Sequence, residues 1–150
     1  MLELIKKNFE HYIVEKVWGE EVWLYNGEPC GVNLCGKLLK LKQDHYCSLH
    51  CHKKKFEVFW LMSGKVKMII QKADESQTHT WIMNPGDSQV IPIGMFHSFS
   101  GVVDSILVEF STHHEENDSY RRTQSGVIER LGDTDAPPAQ PTIKVERVPE

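Results

Sequence analysis

His50 and His52 stand two residues apart in the run Tyr46-Cys47-Ser48-Leu49-His50-Cys51-His52. That run reads as a β-strand, so both imidazoles project from one face and can converge on a point. The same alternation turns Cys47, Leu49 and Cys51 to the opposite face and removes the cysteines from that point. Glu57 lies at an odd offset from His52, which would put it on the wrong face of an unbroken strand. Lys53, Lys54 and Lys55 must therefore make a turn, after which Glu57 opens a new strand with Phe59 and Leu61 on its own face. Gly64 ends that strand where a tight turn favours glycine. His97, following the turn residues Pro92-Ile93-Gly94, is the fourth candidate ligand, carried back across the fold by that turn. One histidine on an apolar strand is ordinarily a hydrogen-bonded core residue; several in compatible register, with a glutamate, point to a metal. Imidazole and carboxylate are borderline-to-hard donors that suit one divalent transition ion: Mn, Fe, Co, Ni or Zn. Four protein ligands in an octahedral shell leave open positions for adjacent substrate oxygens or for dioxygen, which favours catalysis over a structural ion.

Three further charged side chains, Glu109, Lys37 and Lys40, are candidates for proton transfer. In Ser105-Ile106-Leu107-Val108-Glu109-Phe110-Ser111-Thr112, alternation sets Leu107, Glu109 and Ser111 on one face and Ile106, Val108 and Phe110 on the other. A carboxylate in so apolar a strand is either an exposed edge residue or a general base at the mouth of the fold. Lys37 and Lys40, in CGKLLKLK, pose the same choice between a solvated strand position and an interior one. The polar stretch Ser111-Thr112-His113-His114, with Arg121-Arg122 beyond it, reads either as a solvated exit or as groups that meet a substrate hydroxyl or phosphate. Trp18, Trp23, Trp60 and Trp81 fall within expected strands and read as packing residues.

The elements that must hold these residues are strands. From residue 17 to residue 111 the chain is a succession of short runs rich in Val, Ile, Leu and aromatics: VWGEEVWLYN, VNLCGKLLKLK, YCSLHCH, FEVFWLMSG, KVKMIIQK, THTWIMN, DSQVIPI, HSFSGV and SILVEFST. Gly, Pro, Asn and Asp turns separate them. Strands this short and regular predict an all-β sandwich or barrel, the jelly roll among them. With 150 residues the chain is sized for one domain, divided as an N-terminal extension 1–16, a β-domain 17–122 and a C-terminal tail 123–150. Residues 2–10 carry Leu2, Leu4, Ile5 and Phe9 at helical spacing. The Pro-rich DTDAPPAQP predicts a mobile tail, with IKVERV at 143–148 as a candidate edge strand.

A formal net charge of −4 offers no broad basic surface for nucleic acid, so a small-molecule substrate is the expected partner. The chain has no apolar run of membrane-spanning length and no signal-like N-terminus, which makes the cytoplasm the default expectation. Cysteines 30, 35, 47 and 51 match neither a zinc ribbon nor a disulfide framework and are expected to be reduced. Exposed sheet edges make a homodimer the expected assembly.

The pattern H-x-H-x4-E-x6-G from His50 to Gly64, followed by G-x5-P-x-G-x2-H from Gly86 to His97, resembles the two signature motifs of the cupin superfamily. The resemblance implies a single cupin jelly-roll barrel over roughly residues 34–111 and a metal held by His50, His52, Glu57 and His97. Two positions depart from the motifs: Asp44 stands where the first usually opens with glycine, and Gly101 where the second usually closes with asparagine. More closely, VWGEEVWLYN, CGKLLKLK, the metal motif and EFSTHHEENDSYR resemble the D-lyxose isomerase and type II phosphomannose isomerase-like cupins. That resemblance implies an aldose–ketose isomerase acting on a sugar or sugar phosphate through a cis-enediol, with Glu109 and Lys37 as catalytic residues. The competing classes are a ferrous cupin dioxygenase and a non-enzymatic metal-binding module.

Overall fold

The structure is a computed structural model that describes residues 12–130. The expected helical turn at 2–10 and edge strand at 143–148 lie outside the described residues.

Eleven strands carry the body of the fold: β1 (Tyr12–Lys16), β2 (Gly19–Gly27), β3 (Leu34–Leu41), β4 (His45–Tyr46), β5 (His50–Cys51), β6 (Glu57–Ser63), β7 (Val66–Gln71), β8 (Thr78–Met83), β9 (Ser88–Ile91), β10 (Phe96–Gly101) and β11 (Ser105–Ser111). Two short strands follow, β12 (Tyr120–Arg121) and β13 (Gly126–Val127). One antiparallel sheet runs β1-β2-β3-β11-β6-β9; the other runs β12-β5-β10-β4-β13, with β7 joined to β10 and β8 joined to β7. Two all-antiparallel sheets closed over one interior are the architecture expected from the short alternating runs.

Residue alternation on the three central strands of the first sheet explains why the interior has a polar end and an apolar end. Across β3, β11 and β6, Cys35, Ser111 and Glu57 form one row, Lys37, Glu109 and Phe59 the next, and Leu39, Leu107 and Leu61 the third. All nine are buried. Successive inward residues thus pass from ionic to apolar along each strand. The apolar end continues into Leu41, Val66, Met68, Met83, Ile91, Phe99 and Trp18. Complete burial of side chains such as Leu61 and Leu107 contributes about 1.5–3 kcal/mol each, enough to anchor the strands whose other ends carry charge.

Three sequence expectations are corrected here. The run 46–52 is not one strand: residues 47–49 leave the ladder between β4 and β5, which resets the alternation. Cys47 therefore joins the interior core instead of facing away. At the N-terminus, residues 12–16, assigned to an extension, form β1 along β2. At the other end, residues 123–130, assigned to the tail, pack on the barrel. Thr123 Oγ1 accepts a hydrogen bond from the Leu49 N–H at 2.8 Å, Ser125 Oγ accepts one from the Ser48 N–H at 3.0 Å, and the Ile128 N–H donates to the Asp44 carbonyl at 2.6 Å.

The motif departures have local causes. Asp44 sits at φ +59°, the left-handed region that glycine favours and aspartate tolerates. At Gly101 a Cβ would lie 2.6 Å from the Lys42 carbonyl oxygen, so a larger side chain does not fit. Gly64, at φ +91°, would bring a Cβ to 2.2 Å from Ser105 Oγ and 2.5 Å from the Asp104 carbonyl oxygen. Gly64→Ala is expected to cost about 2–4 kcal/mol of unfolding free energy from backbone strain plus crowding. Urea denaturation of the variant against the parent protein checks this, and a change under 0.5 kcal/mol would contradict it.

Candidate metal centre and active site

β5, the turn after it and β10 bring the three histidines together, since His97 is the register partner of His50. One ring nitrogen from each of His50, His52 and His97 lies within 4.8 Å of the others. The orientation of the rings follows from their second nitrogens. Nδ1 of His50 is 2.8 Å from the Ser48 carbonyl oxygen, and Nδ1 of His97 is 3.2 Å from that of Met95. Nδ1 of His52 meets the Asp118 carbonyl oxygen. A carbonyl only accepts, so each Nδ1 carries a proton and each Nε2 is the nitrogen turned toward the cluster. This is the second-layer arrangement that orients metal-binding imidazoles.

Glu57 completes the cluster. Its Oε2 is 3.1 Å from His97 Nε2 and 3.6 Å from His52 Nε2, yet neither Oε2 nor His97 Nε2 has a hydrogen-bond partner. Three inward ring nitrogens and a carboxylate oxygen gathered in a buried space form a donor set that suits a divalent transition ion. Burial, followed by the neighbouring imidazoles, holds His50 well below the usual histidine range. His52 is lowered first by burial. Burial alone would raise the Glu57 carboxyl, but the Lys55 ammonium and then His97 outweigh it and hold it well below the usual carboxylate range.

Lys55 is the residue that sequence reasoning missed. Read as part of a turn, it is 3% exposed, with Nζ 2.6 Å from Glu57 Oε1 and 2.5 Å from Glu109 Oε1. Burial would lower this ammonium, but Glu109 and Glu57 hold it above the usual lysine range. The signal was available in the alternation: Lys55 is buried, Phe56 exposed and Glu57 buried, so strand-like parity already begins two residues before β6. Asp118, by contrast, carries no spacing signal. Its carboxylate accepts from the backbone N–H groups of Lys53, Lys54 and Lys55 at 2.9, 3.1 and 3.1 Å. It thereby fixes the turn between His52 and Glu57, while its carbonyl orients His52.

Lys37 and Glu109 both line the same cavity, of about 110 Å³. They are direct cross-strand partners with separate contacts. Glu109 Oε1 receives the Ser111 hydroxyl at 2.7 Å as well as Lys55. Lys37 Nζ is 3.3 Å from Glu21 Oε2 and 3.3 Å from His114 Nδ1, and lies 4.2 Å above the Trp23 ring. Lys40, weighed alongside Lys37, is instead exposed and pairs with Glu20 at 2.6 Å. Of the polar exit, His114 and Arg121 reach the cavity, whereas Arg122 stacks on Phe96 outside it. Glu21 and His114 are therefore further site residues. Cys47 also lines the cavity, where burial pushes its thiol up to about 12.

Fold and site together define a jelly-roll barrel with a three-histidine cluster, of the kind that can hold a metal ion, at its polar end. The cupin family profile matches residues 32–134, and the chain belongs to that family. No curated protein matches it significantly. Among solved structures, the capsular polysaccharide assembling protein CapF from Staphylococcus aureus superposes with a TM-score of 0.65 at 15% identity, over 76% of this chain and 34% of that one. Oxalate decarboxylase from Bacillus subtilis gives 0.62 at 17% identity, over 75% of this chain and 30% of that one. The chain thus spans about a third of each of those proteins. No described helix is long and apolar enough to cross a membrane.

Two expectations test this site. Asp118→Ala should weaken divalent-metal binding about 10- to 100-fold, the usual effect of losing an outer-layer partner. Metal titration of the chelated variant measures this, and unchanged affinity would contradict the role given to the turn. The second concerns pH. His114 is lowered to about 4, first by burial and then by Lys37 and Lys55, whereas an unfolded histidine titrates near 6.5. The unfolded state therefore binds more protons between those values, and stability should fall as pH drops from about 6.5 towards 4. His50 and His52 act in the same direction. His114→Gln should flatten the metal-free stability profile in that window; an unchanged slope would contradict the assignment.

Proposed function

We propose that the protein is a metal-dependent aldose–ketose isomerase acting on a sugar or sugar phosphate of the D-lyxose or D-mannose type. The observation that supports this most directly is the pair Lys37 and Glu109, side by side on β3 and β11 within the cavity of the histidine cluster, each with its own set of partners. Moving hydrogen between C1 and C2 requires a base for the carbon-bound proton and a donor for the carbonyl oxygen, and these two side chains supply both types of group.

A metal held by His50, His52, Glu57 and His97 would supply electrophilic polarisation of the substrate carbonyl. Glu109 takes the proton from C2. Its Oε1 is occupied by Lys55 and Ser111, so Oε2 is the oxygen that performs this step. The C2–H electron pair becomes the C1–C2 double bond of the cis-enediol while O1 gains a proton from Lys37. Glu109 then returns its proton to C1, and the proton of the O2 hydroxyl passes to Lys37, which leaves the ketose and restores both residues. His114, neutral near pH 7, offers Nδ1 as an acceptor for a Lys37 N–H and so helps fix the ammonium beside O1. The fold likeness to a protein named for capsular polysaccharide assembly is in keeping with a carbohydrate substrate.

Metal-loaded protein incubated in deuterated water with D-lyxose, D-mannose and mannose 6-phosphate should give ketose carrying deuterium at C1, read by NMR. Glu109→Gln should lower kcat about 10²- to 10⁴-fold with metal content retained. Absence of both exchange and ketose with every aldose would overturn the reading, and oxygen uptake in its place would favour the dioxygenase class.

A further inference from the structure

We infer that Arg121 forms an anion-reading subsite at the cavity mouth, so that the substrate carries a phosphate or carboxylate group remote from the reacting carbons. This rests on the isomerase reading for the kind of molecule, and the test separates the two.

Arg121 is the register partner of His50 across the antiparallel pair β12–β5. Directly opposed residues of such a pair project from the same face, and His50 faces the metal cluster, so Arg121 faces it too and lines the cavity. Its neighbour Tyr120 pairs with Cys51 on the other face. Arg122 also follows that parity: it stacks 3.6 Å from the Phe96 ring centroid and binds Gln71 Oε1 and the Ala73 carbonyl, each at 2.5 Å. The adjacent arginines therefore differ in role, one holding the segment to the barrel and the other turned to the site.

Charge pairing isolates Arg121 further. Four cationic side chains line the cavity: Lys16, Lys37, Lys55 and Arg121. Lys16 and Lys37 share Glu21, at 3.5 and 3.3 Å, and Lys55 bridges Glu57 and Glu109. The remaining lining carboxylate, Glu116, lies 3.7 Å from His114. Among the described residues Arg121 has no anionic partner, and its planar fork matches phosphate and carboxylate oxygens alike. Ser119 and Ser125 also line the cavity and carry hydroxyl groups. With the reacting carbonyl at the histidine cluster, an anionic group elsewhere on the sugar meets this guanidinium.

Calorimetric binding of inorganic phosphate, mannose, mannose 6-phosphate and D-glucuronate to metal-loaded wild type, Arg121→Gln and Arg121→Lys tests the inference. Arg121→Gln should weaken at least one anionic sugar about 10- to 100-fold, the worth of a charged hydrogen-bonded contact, and remove its advantage over mannose, with partial recovery in Arg121→Lys. Loss confined to mannose 6-phosphate identifies a phosphate ester as the ligand; loss confined to glucuronate identifies a carboxylate. Wild-type affinity for both anionic sugars in Arg121→Gln, equal loss for mannose, or no binding of either anionic sugar to the wild type would overturn the subsite. An Arg121-dependent anion preference without ketose formation would sustain the subsite while refuting the isomerase.

Discussion

A buried ammonium between two buried carboxylates organises the polar end of this barrel. Removing an ion from water costs several kcal/mol even after relaxation, and only close pairing offsets it. Lys55 satisfies one oxygen of Glu57 and one of Glu109 at the same time, linking the turn after β5 to the central strand β11. The formal sum of the three groups is −1, and the three imidazoles beside them each hold Nδ1 on a backbone carbonyl and turn Nε2 toward the cluster. A divalent ion held by the cluster would reverse that sign to +1. The Lys55 bridge also divides each carboxylate, holding Oε1 of both Glu57 and Glu109 while Glu57 Oε2 is directed to the histidines.

The sheet allows this because β3, β11 and β6 share one register in which a leucine row lies directly beneath the ionic row. The apolar layer excludes water from below and fixes the strand backbones, so Lys37 and Glu109 are held by packing they do not themselves provide. Neither sits at a sheet edge, where a charged side chain would turn to solvent. Placing the ionic groups on the central strands makes their positions as rigid as the core.

Much of this was legible in the sequence, because strand parity is a strong rule wherever the strand is continuous. The faces of Glu57, Phe59 and Leu61 and of Leu107, Glu109 and Ser111 follow from alternation alone, as does the need for a turn after His52. Parity failed at Cys47, where the ladder is interrupted, and it was applied too late at Lys55, where inward alternation precedes the first strand residue. The partners of each ion were beyond its reach. Nothing in the spacing joins Lys37 to Glu21 and His114, or Asp118 to three consecutive backbone amides. Such contacts arise from closure of the barrel and span dozens of residues of chain.

The segment after β11 shows why composition misleads here. Residues 112–130 are polar and rich in turns, as a disordered tail would be, because their side chains serve as caps and site groups and add little to the apolar core. Asp118 satisfies the turn at Lys53–Lys55 and orients His52; His114 meets Lys37; Thr123 and Ser125 satisfy backbone amides that residues 47–49 leave unpaired when they depart from the ladder. The interruption that brings Cys47 inward is thus stabilised by the segment that appears dispensable in sequence. Because His50 and His52 follow directly on that interruption, order in this segment and the geometry of the histidine cluster are one structural property.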